Sequence, residues 1–179
     1  MKLKAIFSAI IVSGLFLTSC DEDLFDVKES FTFEHEFVVL TEDAQYADQA
    51  IVNLAEQETL IADYGSKIKD IEIVHVKYWF KNHNGSNAQQ IDQAMLQVAT
   101  PAGADVQTIA QVENINLAAN VNNPQMLQLN DQARQKLEDL ILAQPHTFML
   151  KFAASFSEVP ADFTVVFEFK ANMTANPIK

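Results

Sequence analysis

Glycine is scarce in this chain and cysteine scarcer: four glycines and one cysteine stand among 179 residues. With Cys20 alone, no intramolecular disulfide can form and no cysteine-based zinc site can be built. None of the glycine-framed phosphate or nucleophile patterns occurs, nor does H-E-x-x-H or an EF-hand loop. Arginine is reduced to Arg134, which rules out an arginine-built clamp for phosphate or carboxylate. Cations are few in general, 12 Lys and Arg against 24 Asp and Glu, for a net charge of −12. Nucleic-acid binding needs clustered cations, so that function is excluded from the leading readings. The same balance discourages electrostatic docking on anionic lipid. Tryptophan and tyrosine number one and three, yet phenylalanine numbers 13. A phenylalanine-rich, glycine-poor chain favours packed strands and short defined turns. Hydrophobic residues at 49% and charged ones at 20% are the balance of a globular protein.

The first twenty residues read differently from the rest. Lys2 and Lys4 form a basic start, and Ala5 to Leu17 is apolar but for Ser8, Ser13 and Gly14. Such a segment is short for a permanent membrane span and fits a cleaved signal peptide over 1–19. It ends in Leu17-Thr18-Ser19-Cys20, an apolar residue, two small ones and a cysteine. This ending resembles the lipobox of bacterial lipoproteins. The resemblance implies cleavage before Cys20 and lipidation of its thiol with diacylglycerol, the freed amine taking a further chain such as palmitate; two or three chains hold a protein on a membrane where one does not. The acidic run Asp21-Glu22-Asp23 resembles the start of small β-rich Bacteroidota surface lipoproteins. That implies a place in the cell envelope, on the outer membrane and at the cell surface if the organism is of that group. Without Lys2 and Lys4 the remaining chain has ten basic residues against 24 acidic, a net charge of −14.

Residues 20–30 then read as an acidic tether and 31–179 as one β-rich domain. Phe31, Phe33, Phe37 and Val39 alternate with polar residues, as in a half-buried strand. Thr41 is placed to cap a helix running to Gly65, with Ala47, Ala50, Ile51, Leu54, Ile61 and Tyr64 near one face. Ile68 to Lys81 is a long strand with apolar residues on both parities, expected in the middle of a sheet. Asn82 to Asn87 is a turn, and weaker strands follow over 91–99 and 106–121, separated by Pro101-Ala102-Gly103. Asn130 caps a second helix with Ala133, Leu137, Leu140 and Ile141 on one face, which Pro145 stops. Phe148, Leu150, Phe152, Ala154 and Phe156 alternate, and after a turn Phe163, Val165, Phe167 and Phe169 alternate in reply, which reads as a β-hairpin. Strand-helix-strand-strand over 31–99 is echoed over 106–173, with little residue identity between the halves. The expected class is α+β, mainly antiparallel and sandwich-like, flanked by two helices.

No constellation for catalysis stands out. His35 shares parity with Phe33 and Phe37, His75 lies among Ile73, Val74 and Val76, His83 is in a polar loop, and His146 follows Pro145. None is paired with another at helical spacing, and Glu34 and Glu36 flank His35 on the opposite strand face, a poor local metal site. No cofactor, metal or catalytic residue is therefore assigned; the one assigned site is Cys20, for lipidation. The leading expectation is a non-enzymatic structural, adhesive or accessory binding domain held at the membrane, with an envelope protein as partner. Two alternatives stand beside it. One is a carrier or sensor of an apolar ligand between phenylalanine-rich sheets. The other is an enzyme whose site is assembled from distant residues.

Overall fold

The computed structural model describes residues 25–178; the leader, Cys20 and the acidic run lie outside the described residues. Eight strands and three helices follow in the order β1 (Val27–Thr41), β2 (Gln45–Asn53), α1 (Leu54–Gln57), α2 (Thr59–Tyr64), β3 (Ile68–Lys81), β4 (Gln90–Ala99), β5 (Gln107–Asn116), β6 (Gln125–Met126), α3 (Asp131–Leu142), β7 (Thr147–Phe156) and β8 (Ala161–Ala175). They form two antiparallel four-stranded sheets packed face to face. The first has the order β1-β8-β3-β6 and the second β2-β7-β4-β5. The expected class, an antiparallel sandwich with flanking helices, is the one observed.

Alternation places the core. Phe31, Phe33, Phe37 and Val39 of β1 point inward, as do Phe148, Leu150, Phe152 and Phe156 of β7 and Phe163, Val165, Phe167 and Phe169 of β8. The rings meet in the core: Phe33 stacks on Phe169 of the neighbouring strand with centroids 4.7 Å apart, and across the sandwich Phe152 and Phe167 approach to 5.7 Å. Such pairs add to the energy of area burial alone.

Three expectations are corrected. β7 and β8 are not a hairpin: β7 pairs with β2 and β4, and β8 with β1 and β3. Their apolar ribbons do meet, but through side chains across the sandwich. A period of two fixes which face of a strand is buried and says nothing of which strand bonds its edge. Among the named strands, only β4 and β5 are consecutive in sequence and paired.

The helix expected over 41–65 is strand over its first half, Gln45–Asn53. Thr41 Oγ1 accepts from Asp43 N at 3.0 Å in a turn, not a helix cap. Residues 45–53 then pair with β7 over their whole length, and helix is confined to α1 and α2, with Gly65 ending α2 at φ 44°. Helix-favouring Ala and Gln are here overridden by an open sheet edge that needs a partner. Lastly, β1 begins at Val27, where it pairs with Ala175. The first strand thus starts four residues earlier than expected.

The sandwich has two open sides, and different devices close them. On one, β6 is only two residues long, and α3 lies against β3 and β5. Asn130 Oδ1 accepts from Ala133 N at 2.8 Å, capping α3 as its sequence predicts. Ala133, Leu137, Leu140 and Ile141 enter the core. The other face of α3 serves the exposed edge of β3: Glu138 Oε1 accepts from Ile73 N at 2.8 Å, and the Arg134 guanidinium donates to Ile73 O. The only arginine thus completes a sheet edge. On the other side β1 and β2 abut, and Tyr46 and His35 fill the seam.

The faint sequence echo has a topological counterpart. Both halves run strand, strand, helix, strand, strand. Exchanging β1 with β5, β2 with β6, β3 with β7 and β4 with β8 converts the first sheet's order into the second sheet's order read backwards. The symmetry belongs to this strand order, so it needs no residue identity between the halves.

Candidate functional surfaces

Strand alternation between the sheets sends the connections to two poles. The starts of β1 and β3, the end of β8, α1 and α2 lie at one. At the other, the connections 42–44, 82–89, 117–124 and 157–160 come together. This loop pole is organised around Gln89, which is 1% exposed. Its Nε2 donates to Glu158 O at 2.8 Å and to Pro160 O at 2.9 Å. Its Oε1 lies 2.9 Å from His83 Nε2, so that nitrogen is the donor. Its backbone carbonyl accepts from Leu117 N at 3.1 Å. One buried amide therefore ties three loops together with its hydrogen-bonding capacity used. Asn84 Nδ2 to Asp162 Oδ2 at 2.9 Å, Ser86 Oγ to Glu158 Oε2 at 2.6 Å and Asn116 Nδ2 to Asn87 O at 2.9 Å extend the network. Asn82 and Asn122 hold φ of 54° and 52°, the left-handed region that asparagine tolerates best among residues with a side chain. Sequence reasoning marked 82–87 as a turn but missed Gln89, because a lone Gln carries no periodic or motif signal.

The histidines do not converge. His35 is half-buried in the β1–β2 seam, edge-on to Phe37 at 4.8 Å. Burial lowers its pKa, against the raising effect of Asp48 and Glu36. His75 Nε2 lies 3.2 Å from Glu168 Oε1, which also accepts from Lys77 Nζ at 3.0 Å. Burial would raise the Glu168 pKa, but those two donors outweigh it and hold the carboxyl below its usual range. His146 is buried at the α3–β7 junction, with Nδ1 2.8 Å from Ile141 O; a carbonyl only accepts, so Nδ1 carries a proton. Among the described residues no three His, Cys, Asp or Glu side chains stand together to hold a metal ion.

Tyr46 has the most displaced titration. Its hydroxyl lies 2.9 Å from Val38 O and 3.2 Å from Asp48 Oδ2. Burial first, then the charge and hydrogen bond of Asp48, push its pKa to about 12. The folded state holds this proton more tightly than the unfolded state does. Its contribution is thus complete below pH ~10 and is lost as pH rises through about 12. In Tyr46→Phe this loss is absent, so urea midpoints from pH 9 upward should fall less steeply than in the wild type. Superimposable alkaline profiles would remove the argument.

The apolar gap left between the sheets, bordered by Tyr78, Phe152 and Phe167 among others, measures about 20 Å³. That is room for roughly one water, so the phenylalanines fill the core with one another.

The two outer faces differ. On the first sheet Glu34, Glu168 and Lys77 lie in one row, and Thr32, Lys170 and His75 in the next. Lys81 reaches Glu36 at 2.7 Å, with its Nζ 5.7 Å from the Trp79 ring centroid. Beside this pair Thr164, Val166 and Trp79 are buried although they face outward. The second sheet's face is almost without charge. One row is Gln45, Ser155, Gln93 and Glu113; the next is Ala47, Ala153, Met95 and Gln111; the third is Gln49, Lys151, Gln97 and Thr108. A shallow trough of about 440 Å³ runs over Ala47, Ala153 and Met95. Beyond it Ile51 is 51% exposed, while Met149 is covered, with the Gly103 turn close to its thioether.

Eight antiparallel strands in the orders β1-β8-β3-β6 and β2-β7-β4-β5 define a jelly-roll sandwich. No protein-family model matches the chain, and no curated protein matches it in sequence. Among solved structures it is similar to a chain of Desmodium yellow mottle tymovirus, at 10% identity and TM-score 0.37 over 83% of this chain and 89% of that one. It is also similar to one of turnip yellow mosaic virus, at 12% identity and TM-score 0.33 over 82% of each. The class rests on the strand order itself, and a fold of this breadth does not imply a function.

Proposed function

We propose that this chain is a lipid-anchored envelope protein whose jelly roll acts as a non-enzymatic binding or adhesive module, presenting its loop pole away from the membrane. The observation that carries the reading is the lipobox-like Leu17-Thr18-Ser19-Cys20 placed seven residues before β1, which starts at the pole opposite the Gln89 loop cluster. At roughly 3.3–3.6 Å per extended residue, Cys20 stands at most about 25 Å from Val27. The start of β1 would then sit close to the bilayer, and the loops 42–44, 82–89, 117–124 and 157–160 would point outward. Conformationally held loops on a rigid scaffold are a usual place for recognition. In an organism of the Bacteroidota group, the acidic run Asp21-Glu22-Asp23 after Cys20 supports the outer membrane and the cell surface as its destination.

Cys20→Ala is expected to abolish lipidation and leave the precursor uncleaved. Metabolic labelling with a palmitate analogue reads this directly, and label retained by the variant would end the lipoprotein reading.

A further inference from the structure

Both outer faces of the sandwich need only be polar enough to stay in water. The first does so with a lattice of acids and lysines, the second with amides and small side chains. In the three open rows of the second sheet only Lys151 and Glu113 are charged, and the bulged Asp92 stands at the margin. The chain carries 24 acidic residues against 12 basic ones, so two copies repel over most of their surface. On this face that repulsion is weakest, and depletion of charge is what marks the centre of an interface. Ala47 and Ala153 keep the middle row low enough for another sheet to approach.

The two charges are placed for self-complementarity. Lys151 pairs with Gln97, and Gln93 with Glu113. β4 lies between β7 and β5, and residue 95 lies midway between 93 and 97. Met95 is therefore the midpoint of the line from Lys151 to Glu113, which spans about 10 Å across the strands and about 14 Å along them. A twofold axis through Met95, in the plane of contact and perpendicular to that line, brings each Lys151 onto the partner's Glu113. Both ion pairs form at once, and the two Met95 side chains meet on the axis. A twofold contact needs such self-complementarity.

We propose that the outer face of the second sheet docks a second copy of this chain about that axis. Three open rows on four strands cover about 400 Å² per copy, about 800 Å² for the pair, below the roughly 1,200 Å² from which stable interfaces begin. The dimer is therefore a weak, concentration-dependent one.

The full chain carrying Cys20→Ala, purified in detergent so that the introduced cysteine is its only thiol, tests this by disulfide trapping. Met95→Cys puts a thiol on the axis and should cross-link to itself under mild oxidation. Thr32→Cys, on the exposed face of the first sheet, is the control and should not. Adding Lys151→Glu to Met95→Cys replaces attraction by repulsion and should lower the yield about ten-fold, equivalent to roughly 1.4 kcal/mol. Adding Glu113→Lys as well restores the complementary pair and should restore the yield, a rescue that loss of folding would not give. Cross-linking of Met95→Cys no greater than that of Thr32→Cys overturns the proposal. So does a yield that Lys151→Glu leaves unchanged, or that the double reversal fails to recover.

Discussion

Phe152→Ala should cost about 3–5 kcal/mol of folding stability, and Phe167→Ala about the same, because each removes a buried ring and leaves a cavity that the surroundings only partly fill. Both are 3% exposed. Phe152 lies within 5.7 Å of the rings of Phe37 and Phe167 and 6.3 Å of that of Tyr46. These three neighbours sit on β8, β1 and β2, so truncation loosens contacts between the sheets as well as within one. A typical domain has roughly 5–15 kcal/mol in all, so either change takes a large share. The two rings touch, and the double variant should lose less than the sum of the single ones. Thr32→Ala, on the exposed parity of β1, should stay within about 0.5 kcal/mol. Thr164, the residue that strand parity alone would choose as an exposed control, is unsuitable: it is 6% exposed beside the Lys81–Glu36 pair. Urea unfolding of the domain from Phe25 onward, followed through the single tryptophan, Trp79, measures these values. A loss under about 1 kcal/mol for Phe152→Ala would mean that its ring borders open space and not a packed core.

The second large effect concerns the loop pole. Gln89→Ala removes the donor shared by Glu158 O and Pro160 O and the acceptor facing His83. At about 1–3 kcal/mol for each of these three groups left without a partner, a total loss of at least about 3 kcal/mol is expected. Gly85→Ala should act through the same residue. A Cβ there would stand 1.9 Å from Gln89 Oε1 and 2.6 Å from His83 Nε2. A free side chain would swing aside, but the nitrogen of the same Gln89 amide is held by two carbonyls. Melting temperatures should fall by about 6 °C or more in both variants. Amide exchange should rise at Leu117, whose N–H is bonded to the Gln89 carbonyl, well before it rises in β7. If Gly85→Ala melts with the wild type, Gln89 is not the hub of the loops.

An address can be proposed from the sequence because a leader-like segment and a lipobox-like ending are local, contiguous signals. Local periodicity also sufficed for β3, for α3 with its Asn130 cap, and for the inward faces of β1, β7 and β8. Where it failed, the deciding interaction came from far along the chain. Residues 45–53 have the composition of a helix and become a strand because the edge of β7, a hundred residues on, offers nine pairing positions. β7 and β8 look like a hairpin because both alternate and a short turn joins them. The turn instead carries the chain from one sheet to the other.

Gln89 had no sequence signal because its partners are backbone carbonyls supplied by a distant loop. The contrast between the outer faces was equally hidden. Which exposed Gln and Ala share a face depends on strand order, and strand order is invisible to alternation. By itself the sequence determined which side of β1, β7 and β8 must be dry, since side-chain alternation is a property of short segments. The tertiary structure alone decided strand partners, the buried amide at the loop pole and the nearly uncharged second face, because edge hydrogen bonds and surface neighbours form between segments that only folding brings together.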